Sequence, residues 1–278
     1  MDKNLLRSRL QEFLTEDIGR GDLTSESIFS DTDSGCASLV AREECIAAGA
    51  RRVAGEVFHV LNPRVSITNC VEDGTQLQPG DLLMTVAGPV IDLLKGERVA
   101  LNLLQRLCGI ATLTGKFVQA VEGTGVRVTD TRKTTPGMRM FEKYAVRAGG
   151  GSNHRFNLTD GVLIKDNHIA ACGSIGETVR RTREQIPHTI KIEVETDTLK
   201  QVEECLACNV DIIMLDNMDT ETMIRAVQMI NGKALVEASG GVRLETVREI
   251  AETGVDIISI GALTHSALSC DIGMDWVE

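Results

Sequence analysis

The 278-residue sequence has no apolar run near the length of a membrane span and no surplus of positive charge. A membrane-spanning helix needs about 18 or more consecutive apolar residues, so the sequence excludes such a segment. Because no apolar stretch follows the charged start at residues 1–4, we expect no signal peptide and a cytoplasmic location. The 29 basic and 40 acidic residues give a net charge of −11. This balance argues against broad binding to nucleic acid or anionic membranes, which requires a basic surface.

The eight cysteines show no sign of a disulfide framework. Without an export signal, cysteines in a chain of this size are expected to be free thiols. Cys205 and Cys208 have the spacing of a zinc or redox motif, but they lie in an amphipathic helical pattern without a second Cys/His pair at ligand spacing. We therefore interpret them as structural residues. A Gly-x-x-x-x-Gly-Lys-Ser/Thr sequence is also absent, which excludes ordinary P-loop chemistry.

The chain is long enough for two domains, and its pattern changes after the first 108 residues. Residues 1–108 combine helical spacing at the start with short β-like runs at 37–41 and 81–86, which predicts an α+β domain. Residues 109–278 predict an α/β barrel of parallel strands, complete or incomplete. No linker rich in glycine, serine or proline separates the two domains, so we expect them to pack together. We also expect the last ~10 residues to pack back on the N-terminal domain.

The second domain contains short apolar runs that end in a polar residue and alternate with helix-length amphipathic stretches. Such runs at intervals of about 20–30 residues are typical of βα units with parallel strands. The six predicted strands occupy residues 125–130, 162–165, 190–195, 212–216, 234–239 and 255–261. In a barrel the carboxyl ends of these strands meet on one face, where the chemistry is placed.

Charged residues close the first four of these strands, and glycines follow the last two. In chain order they are Asp130, Lys165, Glu195, Asp216, Ser239 with Gly240 and Gly241, and Gly261. One carboxylate at a strand end can simply cap the next helix, but a whole ring of such residues predicts a site. Residues 132–165 also hold seven basic and two acidic side chains, a local charge of +5 against −16 elsewhere. This surplus predicts a small anionic ligand.

The two glycine-containing strand ends predict a phosphate site. Gly240 and Gly241 follow one strand, and Gly261 and Ala262 follow the next. Many barrels bind phosphate with the loops after their last two strands, because backbone N–H groups hold the anion and glycine lets it approach. The alternative is a pair of tight turns without a ligand.

Three segments resemble one known family. They read Asp-Thr-Arg-Lys-Thr-Thr-Pro-Gly at 130–137, Gly-Gly-Gly-Ser-Asn-His-Arg at 149–155 and Ile-Lys-Asp-Asn-His at 164–168. They are similar to motifs of the quinolinate phosphoribosyltransferases, also called nicotinate-nucleotide pyrophosphorylases. Further similar segments lie at 16–24, 96–102, 143–147, 238–241 and 260–265. The resemblance therefore covers nearly the whole chain.

The resemblance implies transfer of the 5-phosphoribosyl group of phosphoribosyl pyrophosphate to quinolinate, with loss of CO2, to give nicotinate mononucleotide for NAD biosynthesis. It implies Mg2+ and a homodimer with shared active sites. The implied quinolinate pocket consists of Arg132, His154, Arg155, Lys165 and, from the partner subunit, Arg98. Lys133 is implied on the pyrophosphate or ribose side, and Glu195 and Asp216 beneath the ribose with Mg2+. The implied phosphate-binding residues are Ser239, Gly240, Gly241, Gly261 and Ala262.

Two alternatives stay open at this point. A related phosphoribosyltransferase of the molybdenum-associated type would keep the phosphate site and accept another acid, but the 164–168 motif resembles that of the quinolinate group. A barrel that binds a phosphoribosyl ligand without catalysis is expected to lack the basic pocket or the pair Glu195 and Asp216. Both features are present in the sequence.

Overall fold

The computed structural model describes residues 1–277. Its backbone clusters into two compact units. The first unit contains Met1–Gly115, Met140–Gly150 and residues 266–277, and the second contains Lys116–Arg139 and Gly151–His265. The boundary predicted at residue 108 falls inside one long helix, and the predicted domain division stays a prediction. No helix within residues 1–277 has the length and apolar character that crossing a membrane requires.

An antiparallel sheet forms the framework of the first unit. Its strands are β1 (Ser34–Ala41), β3 (Ser66–Thr68), β5 (Leu82–Pro89) and β12 (Ile272–Trp276), and two short strands, β2 (Cys45–Ile46) and β4 (Gln76–Leu77), form a separate pair. The sheet order is β12-β1-β5-β3. The β-like runs predicted at 37–41 and 81–86 lie in β1 and β5. Alternate side chains of β1 are buried, which gives the sheet an apolar face.

Five α-helices lie wholly or mainly in the first unit. They are α1 (Lys3–Ile18), α2 (Leu23–Ile28), α3 (Gly55–Leu61), which follows a π-helical turn (Ala50–Ala54), α4 (Val90–Ala120) and α5 (Arg139–Ala148). The Asp2 carboxylate accepts a hydrogen bond from the Leu5 backbone N–H at 2.9 Å and caps α1. Leu6, Leu10 and Leu14 are buried at helical spacing, so α1 packs through one apolar stripe.

The second unit contains the six parallel strands that the apolar runs predict. They are β6 (Arg127–Thr129), β7 (Val162–Ile164), β8 (Ile192–Thr196), β9 (Ile212–Asp216), β10 (Leu235–Ser239) and β11 (Ile257–Ser259). The helices between and after them are α6 (Asp166–Cys172), α7 (Ile175–Gln185), α8 (Leu199–Ala207), α9 (Thr220–Ile230), α10 (Val247–Ala251) and α11 (Ala262–His265). The strands pair in the order β6-β11-β10-β9-β8-β7.

This parallel sheet is an incomplete barrel. Its edges are β6 and β7, and no backbone pairing joins these two among the described strands. Residues of all six strands nevertheless line one cavity of about 410 Å³, including Arg127 of β6 and Val162 of β7. The sheet therefore curves around a common interior. The predicted α/β barrel is therefore confirmed in its incomplete form. The unit that precedes it in the sequence contains both helices and strands, as predicted.

Candidate active site

Two layers of polar side chains follow from the strand geometry. Successive side chains of a strand point to opposite faces, so Glu193 and Glu195 share one face of β8, and Glu237 and Ser239 share one face of β10. Glu195, Ser239 and Asp216 lie where their strands end, and Ser239 pairs with Asp216 across the sheet. We call this end the carboxyl edge. Glu193 and Glu237, which line the cavity, form an interior layer one step deeper.

An ion pair joins two predicted site residues at the carboxyl edge. Lys165 Nζ lies 2.6 Å from Glu195 Oε2. The Lys165 backbone N–H donates to His168 Nδ1 at 2.9 Å, which fixes the loop that begins α6. The ammonium group is exposed and the carboxylate is half-buried. Each charge therefore has a partner in this structure and can exchange it for a charged ligand at low cost.

The loops after β9 and β10 fit each other closely. Asn217 has a left-handed backbone, with φ of 53°, and its amide donates to Asp216 Oδ2 at 2.7 Å. Gly240 has φ of 93°, and a Cβ at that position would overlap the Asn217 side chain. Only glycine therefore suits this position. The sequence analysis found Asp216 and Gly240 but missed Asn217, whose only signal is its place directly after a strand end.

Lys133 and Gly261 are neighbours in the second unit. A Cβ at Gly261 would lie 3.0 Å from Lys133 Cδ and 3.1 Å from His265 Nε2. The Thr264 hydroxyl donates to the Lys133 carbonyl oxygen at 2.8 Å, which ties the loop after β6 to α11. The structure thus places the exposed Lys133 side chain beside one of the predicted phosphate-binding loops. Ala262 begins α11 directly after Gly261.

Arg132 and Arg155 form a basic group, and Glu193 is the acidic side chain that acts on Arg155. The Arg155 guanidinium is half-buried and donates to the Gly161 carbonyl at 2.9 Å. Burial, and then the charge of Arg132, lower the pKa of Arg155 below its ordinary value. Arg139, which the sequence analysis missed, donates to the Arg132 carbonyl at 3.3 Å and holds this loop. Two cations that destabilise each other favour binding of an anion between them.

His154 faces the barrel interior. Its backbone N–H donates to Asp130 Oδ1 at 2.9 Å, and its Nδ1 accepts from the Arg155 backbone N–H at 2.8 Å. Nδ1 is therefore unprotonated, and the ring proton is on Nε2. Nε2 lies 3.1 Å from Glu193 Oε2. Both ring nitrogens thus have partners on this chain, and direct contact of His154 with a ligand stays a prediction.

Arg98 and the cysteines lie apart from these groups in the sequence. Arg98 is an exposed residue of α4, in the first unit, and its predicted role in a partner's site stays a prediction. Cys205 is buried in α8, and burial raises the pKa of its thiol to about 12. A thiol with such a pKa is a poor metal ligand and nucleophile, which agrees with a structural role.

The incomplete parallel barrel, with charged side chains at its carboxyl edge, is typical of α/β-barrel enzymes. Models of the N-terminal and C-terminal domains of quinolinate phosphoribosyl transferase match residues 22–108 and 110–275. The chain therefore belongs to the quinolinate phosphoribosyltransferase family, whose members are pentosyltransferases.

Individual relatives agree with this assignment over most of their length. The chain is 48% identical to the "Probable nicotinate-nucleotide pyrophosphorylase [carboxylating]" of Bacillus subtilis (strain 168), over 97% of this chain and 93% of the relative. It is 44% identical to the nicotinate-nucleotide pyrophosphorylase (carboxylating) of Mycobacterium leprae (strain TN), over 97% and 96%. The crystal structure of NadC from Streptococcus pyogenes superposes with a TM-score of 0.95 at 41% identity, covering 100% of this chain and 99% of that one.

Proposed function

We propose that the protein transfers the 5-phosphoribosyl group of phosphoribosyl pyrophosphate to quinolinate and releases CO2, giving nicotinate mononucleotide for NAD biosynthesis. One observation carries this proposal. One barrel holds both a basic group, Arg132, Arg155 and Lys165, and an acidic pair, Glu195 and Asp216. Lys165 and the acidic pair lie at the carboxyl edge, and the Arg155 guanidinium lies in the cavity below it, beside the start of β7. The basic group suits a dicarboxylate, and the acidic pair suits a ribose with a bound cation.

In this proposal the basic residues hold the two carboxylates of quinolinate. A guanidinium group binds a carboxylate through two parallel hydrogen bonds, which fixes the plane of the ring as well as its charge. Arg155 and Arg132 would supply this contact, and Lys165 would leave Glu195 to join them. The ring nitrogen then points toward the acidic pair and the sugar.

Glu195 and Asp216 suit a Mg2+ ion that arrives with phosphoribosyl pyrophosphate. They are half-buried carboxylates at the ends of adjacent strands, and hard oxygen ligands are those that Mg2+ prefers. Bound there, Mg2+ would offset the negative charge of the departing pyrophosphate. The same carboxylates would bind ribose hydroxyls and stabilise positive charge at the anomeric carbon. Lys133 would contact the pyrophosphate, and Ser239, Gly240, Gly241, Gly261 and Ala262 would hold the 5-phosphate.

The chemistry needs positioning more than an activated side chain. The quinolinate nitrogen attacks the anomeric carbon while the bond to pyrophosphate breaks, which leaves a cationic ring. The bond from the ring to the adjacent carboxylate then breaks, CO2 departs, and the electron pair stays on the ring carbon. The positive nitrogen stabilises that pair until a proton replaces it.

The proposal includes a cytoplasmic homodimer in which Arg98 completes the pocket of the partner subunit. Mixed dimers test this arrangement. Arg98→Ala and Lys165→Ala homodimers should each be nearly inactive, whereas heterodimers refolded from both should regain activity, because one of their two pockets is intact. A mixture as inactive as its parents would exclude the shared pocket.

A steady-state assay tests the function itself. Quinolinate, phosphoribosyl pyrophosphate and Mg2+ should yield nicotinate mononucleotide, pyrophosphate and CO2 in equal amounts. Turnover of a different acid in preference to quinolinate would favour the molybdenum-associated alternative. Tight binding of phosphoribosyl pyrophosphate without product from any acid would favour a binding protein.

A further inference from the structure

Three side chains in the interior layer leave two buried oxygens without hydrogen bonds. Glu193 and Glu237 are 4% and 2% exposed. His154 Nε2 lies 3.1 Å from Glu193 Oε2 and 3.5 Å from Glu237 Oε1, and the three groups present atoms within 4.8 Å of one another. Oε1 of each glutamate has no hydrogen-bond partner among the described residues, and neither has the hydroxyl of the neighbouring Ser259. A buried carboxylate oxygen in this state is costly, so the cluster needs a further donor or cation.

The tautomer of His154 argues against a metal ion as the missing partner. A metal at Nε2 needs the lone pair of that nitrogen, and the ring then normally donates from Nδ1. Here Nδ1 accepts from the Arg155 backbone N–H, so Nε2 carries the proton. The imidazole therefore acts as a donor to Glu193.

A proton on Glu237 supplies the missing donor. Glu193 already accepts the imidazole N–H, which leaves Glu237 as the neutral member of the pair. Burial, and then the charge of Glu193, raise the pKa of Glu237 to about 7, and interactions with His154, with Ser259 of β11 and with Arg127 oppose this only in part. The other charged groups that face the site are the cavity-lining Arg155, Lys191 and Asp160. A neutral Glu237 leaves one negative charge in the pair, and this charge is partnered.

We propose that protonated Glu237 is a positioning residue for the quinolinate pocket: it holds Glu193 and His154 in place, and His154 in turn holds the backbone of Arg155. This inference rests on the proposed function, in which Arg155 binds a quinolinate carboxylate. Loss of the Glu237 proton puts a second negative charge into the cavity that Arg155 lines. That charge repels Glu193 and competes with the substrate for the guanidinium. Quinolinate binding therefore weakens as the pH rises past neutrality.

A neutral replacement isolates this effect. Glu237→Gln keeps the shape of the side chain and stays uncharged at every pH, and Glu203→Gln, on the exposed face of α8, is the matched control. KM values for quinolinate and for phosphoribosyl pyrophosphate are measured from about pH 6.5 to about pH 8.5. Relative to Glu237→Gln, the wild-type KM for quinolinate should rise about three- to tenfold over this range, with little relative change for phosphoribosyl pyrophosphate. The control should follow the wild type.

Equal pH dependence in the wild type and Glu237→Gln would overturn the inference. If Glu237→Gln does not fold, carbon NMR of wild-type protein with labelled glutamate gives a second test, because one buried carboxyl group should titrate near neutral pH. Titration of every glutamate in the ordinary acidic range would also overturn it. Lack of quinolinate turnover by the wild type contradicts the proposed function instead, and the NMR titration still decides the state of Glu237.

Discussion

Glu193 and Glu195 lie two residues apart on one strand, but their side chains differ in burial and in their charged partners. Glu195, at the carboxyl edge, is half-buried and pairs with the exposed Lys165. Glu193, in the interior layer, is buried against His154 and Glu237. An exposed ion pair contributes little to stability, about 0–1 kcal/mol. A buried charge is costly unless every partner is in place.

This difference separates what each layer can do. In the proposed function, side chains at the carboxyl edge exchange their partners for substrate, and little stability depends on these exposed pairs. Side chains in the interior layer are enclosed by protein, so they respond through a change of protonation or conformation. In our proposal they position the residues of the substrate pocket. Variants at the edge should therefore lose function while folding normally, and interior variants should change stability with pH.

The largest expected effect concerns the basic group of Arg132, Arg155 and Lys165. Nicotinate has one carboxylate, so it would leave at least one cation of the pocket without a partner. A site built for a missing polar group discriminates by about 10³-fold or more. We expect kcat/KM for quinolinate to exceed that for nicotinate by at least this factor, measured with the same Mg2+ and phosphoribosyl pyrophosphate. Comparable kcat/KM values for the two acids would contradict the proposal that this basic group forms a pocket for a dicarboxylate.

The acidic pair should give the next largest effect. Glu195→Gln and Asp216→Asn should each reduce turnover by an amount that corresponds to about 2–4 kcal/mol, because both carboxylates would act on the ribose and the cation. Quinolinate affinity, measured by direct titration, should change much less, and the melting temperature should stay close to that of wild type. Glu203→Gln is the control at an exposed site. If the main effect is a loss of quinolinate affinity, these acids contact quinolinate and not the ribose, which contradicts the prediction.

A smaller effect should follow from closing the space beside Asn217. Gly240→Ala adds a Cβ that overlaps the Asn217 side chain at a backbone φ of 93°, so the loop must move. Gly232→Ala is a matched control, because Gly232 has φ of 74° but nothing lies within 4 Å of an added Cβ. Both variants should lose about 1 kcal/mol of stability through the backbone. Only Gly240→Ala should raise KM for phosphoribosyl pyrophosphate, by about tenfold, and equal KM values would exclude Gly240 from the phosphate site.

The carboxyl edge was predictable from sequence because each of its residues follows a visible apolar run. Lys165, Glu195 and Asp216 are single charges at the ends of such runs, and the barrel rule brings those ends together. The functional role predicted for each of these residues came from the resemblance to the family, because composition and spacing alone do not indicate it.

The interior layer was missed for a physical reason. Glu193 and Glu237 occupy positions inside predicted strands, where alternation already aims them at the core, but a sequence does not show which loop residue meets them there. That residue, His154, comes from a loop that Asp130 fixes by accepting a hydrogen bond from the His154 backbone N–H. Contacts of this kind depend on the tertiary fold, and so does the raised pKa of Glu237.

The prediction for the interior layer is a dependence of stability on pH. Burial and the charge of Glu193 raise the pKa of Glu237 from 4.5 to about 7, so the folded protein keeps a proton that the unfolded chain releases. The contribution of Glu237 to the free energy of unfolding is therefore full below the ordinary glutamate range, falls as the pH rises to neutrality and is flat above it. Glu237→Gln lacks this titration, so its stability relative to wild type should increase by about 2–3 kcal/mol between pH 5 and pH 8 in urea unfolding. The difference in stability between Glu203→Gln and wild type should stay constant over this pH range. If the difference for Glu237→Gln is constant as well, Glu237 titrates like an exposed glutamate, and the two layers do not differ in the way described.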